Sequence, residues 1–183
     1  MSNPTILVIG SANVDLVTRV PRCPRPGETL LGKSFDVVMG GKGANQAVAA
    51  ARLGARTFFA GCVGNDAFGQ MQRDALSREG IDISYIKIHP NEPTGTAVIF
   101  VADEGQNSIV VTPAANYGIQ PEDVAAMDAL FKQTDVVLLQ LEIPLATVEA
   151  ALEMAAKHGV LAILDAGPAQ KIPASLVAKT EVI

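Results

Sequence analysis

The sequence predicts a doubly wound α/β domain with helices on both faces of its sheet and a small β lid, and three observations predict it. Short continuous apolar runs, Thr5-Ile-Leu-Val-Ile-Gly10 and Asp135-Val-Val-Leu-Leu-Gln-Leu141 among them, have the pattern of parallel strands buried on both faces. These runs alternate with helical segments that stop at glycines, as in a βα repeat. Two extended stretches, about 16–39 and 94–112, interrupt that alternation and pair naturally into one separate sheet.

The first strand runs to Gly10. Residues just past the end of such a strand face the crevice where open α/β sheets bind ligands. Here they are Ser11-Ala-Asn13-Val-Asp15. Asn13 and Asp15 are two apart, so in extended backbone both point the same way. An amide and a carboxylate on one face can donate to and accept from neighbouring hydroxyls. An Asx-type turn is the alternative, since both residue types bond readily to local backbone.

Leu16 to Val20 suits a strand, Pro21, Pro24, Pro26 and Gly27 form a rigid loop, and Thr29 to Met39 is extended again. Some thirty residues between first strand and first helix far exceed the usual 2–6 of a βα loop. An inserted, lid-like element follows.

Gly40-Gly-Lys-Gly-Ala-Asn-Gln-Ala47 then turns into an alanine-rich helix ending near Gly54. Its glycines allow a tight turn and leave main-chain N–H groups uncovered at the positive end of the helix dipole. Lys42 and Asn45 add a charge and an amide there, and a small polar or anionic ligand suits the place. It is neither a Walker A loop, lacking G-x-x-x-x-G-K-[ST], nor a G-x-G-x-x-G dinucleotide fingerprint. A close turn into a packed helix, with no ligand, is the plainer alternative.

A strand over 57–63 follows, then a turn with Asp66 as N-cap and a helix from Ala67 to Glu79 with Gly80 after it. Ser84 to His89 is a short strand, and 94–102 and 107–112 flank the turn of a hairpin. A helix is expected over Pro121 to Lys132, with proline near its start and acids in its first turn. Glu142 sits just past the strand that follows. A helix to His158, capped by Gly159, a strand over 160–164, a short helix over 174–179 and a last strand opening at Glu181 complete the pattern. His89 and His158 have no metal-like spacing.

Length and composition limit the function classes. The chain has 183 residues, 49% hydrophobic and 18% charged, which suits one domain with a real core and excludes disorder. A net charge of −5 argues against nucleic acid. Seven of the fourteen Lys and Arg lie in residues 1–60 against three of nineteen Asp and Glu, a bias that suits phosphates or a solvated surface equally. No apolar run reaches the roughly 18 residues of a membrane span, and the N-terminus lacks the basic region of a signal peptide. Cys23 and Cys62 form no C-x-x-C pair. A cytoplasmic protein with free thiols is expected.

Asn13-Val-Asp15, Pro26-Gly-Glu28, the glycine stretch with Gly54, Gly61-Cys-Val-Gly64-Asn-Asp66, Thr94-Gly-Thr96 and Gln140-Leu-Glu142 together resemble the ribokinase (PfkB-type) sugar kinases. The resemblance runs across nearly the whole chain, and the glycine–asparagine stretch with Gly54 and Gly64 is its most specific part. It implies a ribokinase-like fold with a β lid that often dimerises, and ATP-dependent phosphorylation of a sugar hydroxyl, ribose first among candidates. ATP, Mg2+ and a monovalent cation such as K+ are the implied cofactors, and a small-molecule sugar and a second copy of the chain the implied partners. Carried over by position, Asn13 and Asp15 bind sugar hydroxyls, the Gly41 main chain, Lys42 and Asn45 hold the sugar from the loop side, Glu142 closes the site, and Ile99 covers the ring.

The resemblance also implies parts that are not found. The glycine–alanine–glycine–aspartate motif of the general base and the asparagine-x-x-glutamate motif tied to metal and phosphates are expected beyond Ile183. The expectation is therefore an N-terminal, sugar-binding portion of a kinase, inactive alone, with one sheet edge open and a tendency to dimerise or aggregate. A non-catalytic sugar-binding module, or a nucleoside, fructose-phosphate or ketodeoxygluconate kinase, are the alternatives.

Overall fold

Each apolar run becomes a strand because its alternate residues find a helix layer on either side. In the computed structural model, which describes residues 3–183, five parallel strands form the main sheet. They are β1 (Thr5–Ile9), β4 (Arg56–Gly64), β5 (Asp82–His89), β8 (Val136–Gln140) and β9 (Leu161–Asp165), in the order β5-β4-β1-β8-β9. Met1 and Ser2, part of the N-terminal stretch read for targeting signals, lie outside the described residues.

Val8 and Phe59 face one side and pack with Ala44 and Ala47 of α1 (Lys42–Arg52) and Leu76 of α2 (Ala67–Arg78). Leu7, Ile9, Phe58 and Leu139 face the other. They pack against α3 (Pro121–Ala125), α4 (Asp128–Phe131) and α5 (Leu145–His158) through Val124, Phe131, Val148 and Leu152. A short α6 (Ala174–Val177) adds Leu176 to that core, and Val182 makes an isolated parallel bridge to Ile163 on β9. The helices thus cover both faces, as a doubly wound sheet requires.

A second sheet holds β2 (Asn13–Val20), β3 (Ser34–Gly40), β6 (Gly95–Ala102) and β7 (Asn107–Thr112), in the order β3-β2-β6-β7. β2 pairs with β3 and β6 with β7 antiparallel, while β2 and β6 run parallel. The chain crosses from the main sheet to this one over Gly10-Ser-Ala12, so β2 starts at Asn13 rather than at Leu16. Residues 29–33 form no strand, and the pairing of β3 begins only at Ser34.

The helix expected over 121–132 is two short helices. The Met127 N–H reaches Val124 C=O at 2.9 Å, a three-residue step that tightens the backbone between them. Elsewhere the end signals act as read. Gly159, at φ 68°, closes α5 in the left-handed conformation.

Asp66 caps α2 by accepting from the Gly69 N–H at 2.7 Å, and it also accepts from the Thr94 N–H at 2.8 Å and the Thr94 hydroxyl at 2.7 Å. One carboxylate therefore joins α2 to the start of β6. Burial alone raises its pKa, but the hydrogen bonds from Thr94, Gly69 and Phe68 outweigh that and hold it below the ordinary range. A depressed carboxylate stabilises the fold above its unfolded value of about 4 and loses that contribution as pH falls through the folded value. Asp66→Ala is expected to cost about 1 to 2 kcal/mol at pH 7 in urea titrations. The gap to the parent should narrow below pH 4.

Candidate functional site

The first turn of α1 needs partners for its N–H groups, and its cap residue, Gly41, has no side chain to supply one. Ser11 and Glu142 supply them instead. The Lys42 N–H donates to Glu142 Oε2 at 3.1 Å, the Gly43 N–H to Ser11 Oγ at 3.3 Å and the Ala44 N–H to the Ser11 C=O at 2.9 Å. The Ser11 hydroxyl in turn donates to Glu142 Oε2 at 2.5 Å. Three of the donors that the glycine stretch was expected to leave uncovered are thus already used inside the protein. The Gly41 N–H keeps no partner among the described residues.

This packing demands glycine. A Cβ on Gly41 would stand 2.7 Å from the Asn13 N, and one on Gly43 2.7 Å from the Ser11 N. Gly41 also has φ 92°, which L side chains rarely adopt.

Asn13 is buried at the base of β2, its Oδ1 accepting from Asn116 Nδ2 at 2.6 Å. Asn116 Oδ1 accepts the Ala12 N–H at 2.8 Å. Asn116 lies in the 3-10 turn Ala114–Gly118, which begins with Ala114 in the left-handed region at φ 44°. Such a conformation costs on the order of 1 kcal/mol or more and needs firm surroundings. Here the adjoining Ala115 N–H is held by the Pro93 C=O at 2.9 Å. Asn116 was not singled out from the sequence. The Pro, Asn and Gly around it signal a turn, and nothing local points to a partner 103 residues away.

Asp15 lies on the same face of β2 as Asn13, with its carboxylate against Gly40. It receives no protein hydrogen bond among the described residues. Burial, and next the negative charge of Glu142, raise its pKa above the ordinary value. Ile99 pairs with Val17 on β2, on the same face and one step beyond Asp15. A cavity of about 150 Å3 opens between the two sheets, lined by Asn13, Asn116 and Glu142 and by Val111, Tyr117 and Pro168. That is about five times the ~30 Å3 share of a water molecule, room for a small polyol.

Lys42 turns toward the end of β9. A Cβ on Gly167 would come 3.1 Å from its Cε and 3.3 Å from its Nζ, and 3.0 Å from Asp165 Oδ1. Its ammonium has no ion-pair partner among the described residues. Asn45 is exposed and lines a separate groove with Met39, Arg52 and Gln72. The fold thus gathers Asn13, Asp15, Gly41, Glu142 and the Lys42 backbone around one crevice and sets Ile99 further up the second sheet. Among the described residues, no three His, Cys, Asp or Glu side chains converge to hold a metal ion. No helix among them is long and apolar enough to cross a membrane.

The doubly wound sheet, its strand-end crevice and the small second sheet beside it define a doubly wound α/β protein with a separate four-stranded sheet. The chain belongs to the pfkB family of carbohydrate kinases, whose model matches residues 3–183. It is 44% identical over 179 residues to a ribokinase of Haemophilus influenzae, covering 98% of this chain and 58% of that protein. It is 40% identical over 164 residues to a deoxyribokinase of Salmonella typhi, covering 90% and 54%. Among solved structures, Arabidopsis thaliana ribokinase complexed with ribose and ATP superposes with a TM-score of 0.87 at 35% identity, covering 99% of this chain and 60% of that one. The chain therefore spans little more than half the length of the curated relatives it matches.

A carboxyl whose folded pKa is raised favours the folded state only when protonated, and that contribution is lost as pH rises through the folded value. Ionised Asp15 therefore works against stability at neutral pH. Asp15→Asn is expected to melt at higher temperature than the parent at pH 7. The advantage should fade below pH 4, and calorimetry across that range checks it.

Proposed function

We propose that this chain is the sugar-binding portion of an ATP-dependent kinase that phosphorylates a pentose, D-ribose at its 5-hydroxyl first among them. The observation that carries the reading is the strand-end crevice that gathers Asn13, Asp15, Glu142 and the Gly41 N–H, beside a small cavity lined by Asn13, Asn116 and Glu142. A polyol leaving water needs such a set, because each unmatched hydroxyl costs on the order of 1–3 kcal/mol.

Asp15 and the free Oε1 of Glu142 accept from sugar hydroxyls, and Asn13 and the Gly41 N–H orient them. The Lys42 backbone serves the loop side and Ile99 closes over the ring, while Asn45, exposed in a separate groove, is not assigned a contact in this arrangement. Glu142 is also committed to the N-terminus of α1, and that holds it in place as a binding group. No residue of 3–183 is assigned as the general base.

ATP, when bound, supplies the phosphoryl group. The unpaired Lys42 ammonium is the side chain that fits its phosphate charge. Mg2+ and a monovalent cation such as K+ belong to the same reading, but the described residues offer them no converging ligands, and none is assigned here. A cytoplasmic location follows from the small-molecule substrates.

A 2-deoxypentose is the second reading, favoured by the identity to the deoxyribokinase. Titration of the purified chain with D-ribose, 2-deoxy-D-ribose and adenosine separates the two. Ribose is expected to stabilise by about 2.7 kcal/mol at a hundredfold excess over Kd. Asn13→Ala and Asp15→Ala should abolish the effect. A larger shift with 2-deoxyribose would move the assignment, and no shift with any pentose would overturn sugar binding.

We further propose that the second sheet, which we read as a lid, forms a homodimer. Phe35, Val110 and Ile109 are 61%, 65% and 50% exposed on it, more apolar surface than an isolated sheet leaves to water. Sedimentation should show a dimer for the parent and a monomer for Val110→Asp. A monomeric parent at micromolar concentration would sink this.

A further inference from the structure

The buried stripe of α2 is Gly69, Gln72 and Leu76, and its middle member is a glutamine only 1% exposed. A long amide in the apolar seam between a helix and a sheet is costly unless its polar atoms are matched. Gln72 Nε2 donates to two main-chain carbonyls, that of Asn13 and, at 2.9 Å, that of Gly40. Those two residues are register partners where β2 and β3 meet. Its Oε1 is equally buried and has no partner among the described residues. An apolar side chain of the same length would avoid that loss. Packing alone therefore does not account for an amide here, and the two donated bonds do.

The placement of those bonds matters. Asn13 carries one wall of the crevice, and Gly40 leads directly into Gly41, whose N–H is unpartnered. α2 itself is held firmly at its start by Asp66, and Gly69 sits where a Cβ would meet the Gly64 C=O and Thr94 Oγ1. A clasp from such an anchored helix sets the spacing between the two walls from behind.

We propose that Gln72 is a positioning residue of the sugar site: its amide ties the Asn13 and Gly40 carbonyls together and so fixes where the Asn13 side chain and the Gly41 N–H stand. The inference rests on the sugar-binding reading above. It adds a residue that touches no ligand.

The test uses the whole chain with Gln72→Met, which keeps the length and loses the donors. It also uses Gln72→Glu, which lacks a donor when ionised and regains one when protonated. Ribose affinity is measured by calorimetry, and hydrogen exchange is followed at residues 40–43 without sugar. Gln72→Met is expected to fold, to bind ribose about tenfold more weakly and to exchange faster at Lys42 and Gly43, whose N–H groups are hydrogen-bonded in the parent. For Gln72→Glu, the ratio of its Kd to the parent's should fall as pH drops from 8 to 5. The ratio is the quantity read because Asp15, against Gly40 and shifted upward, is present in both proteins, while the Arg52–Glu79 pair flanking the groove beside Gln72 stays charged over that range. A residue with a merely structural role would lower the melting temperature while leaving the Kd of folded protein, the exchange at 40–43 and a flat ratio, and that result overturns the proposal. Should the parent bind no ribose, the sugar reading falls by itself. The exchange comparison then decides on Gln72, unchanged protection counting against it. Should Gln72→Met not fold, the Gln72→Glu profile decides.

Discussion

The Ser11 hydroxyl, the Glu142 carboxylate and the first turn of α1 form one hydrogen-bonded knot, and the rest of the molecule is arranged around it. Glu142 is 131 residues from Ser11 in sequence, yet Oε2 receives both the hydroxyl and the Lys42 N–H. A negative charge at a helix N-terminus is favoured by the dipole and by the N–H groups left open there. The knot joins the ends of β1 and β8 to the helix between them, and it requires backbones to approach more closely than any Cβ allows. Gly41 and Gly43 are fixed by that contact as much as by any ligand.

That constraint explains which parts of the molecule were legible in the sequence. The strands and most helices follow from apolar runs and end signals, which are local: Asp66 caps α2 and Gly159 closes α5 as read. The break in the helix over 121–132 was not legible, because no glycine or proline marks it and the tightening at Met127 is a matter of how Val124 and Phe131 reach the core. At the site, Asn13, Asp15 and Glu142 stand out as polar residues at strand ends. Their partners do not. Asn116 and Gln72 act on backbone atoms of residues far away in sequence, and no periodicity or motif encodes a side chain that bonds to a remote carbonyl or N–H. The expectation of uncovered N–H groups at α1 failed for the same reason, since the groups that cover them lie on other elements.

Two carboxylates at one crevice work against stability. Among the described residues Asp15 has no donor to offset its burial, and Glu142 adds repulsion. A fold selected only for stability would carry asparagine or an apolar residue there. Asp15 is a half-buried carboxylate with no hydrogen-bond donor among the described residues, a cost that any donor placed beside it would reduce. The neighbours are treated differently: Ser11, Asn116 and the Oδ1 of Asn13 are hydrogen-bonded to one another, to Glu142 or to main chain, and this holds them in place. The crevice thus combines hydrogen-bonded polar groups with a carboxylate to which no described residue donates.

The second sheet shows a similar contrast along its length. At its root, where β2 leaves Ala12 and β6 begins, Asn13 and Gly95 are buried and pinned by Asn116, and Gln72 clasps the adjoining β3. Two or three residues further out, the strands lose helix cover on both faces, and Ile109 and Val110 are at least half exposed. Burial returns at the far ends of the two central strands, where the register partners Val20 and Ala102 are 3% and 4% exposed. Asp15 and Ile99 lie past the root, while Asn13 and Glu142 do not. Hydrogen bonds to other elements therefore fix Asn13 and Glu142, while Asp15 and Ile99 are placed by the pairing of the sheet itself.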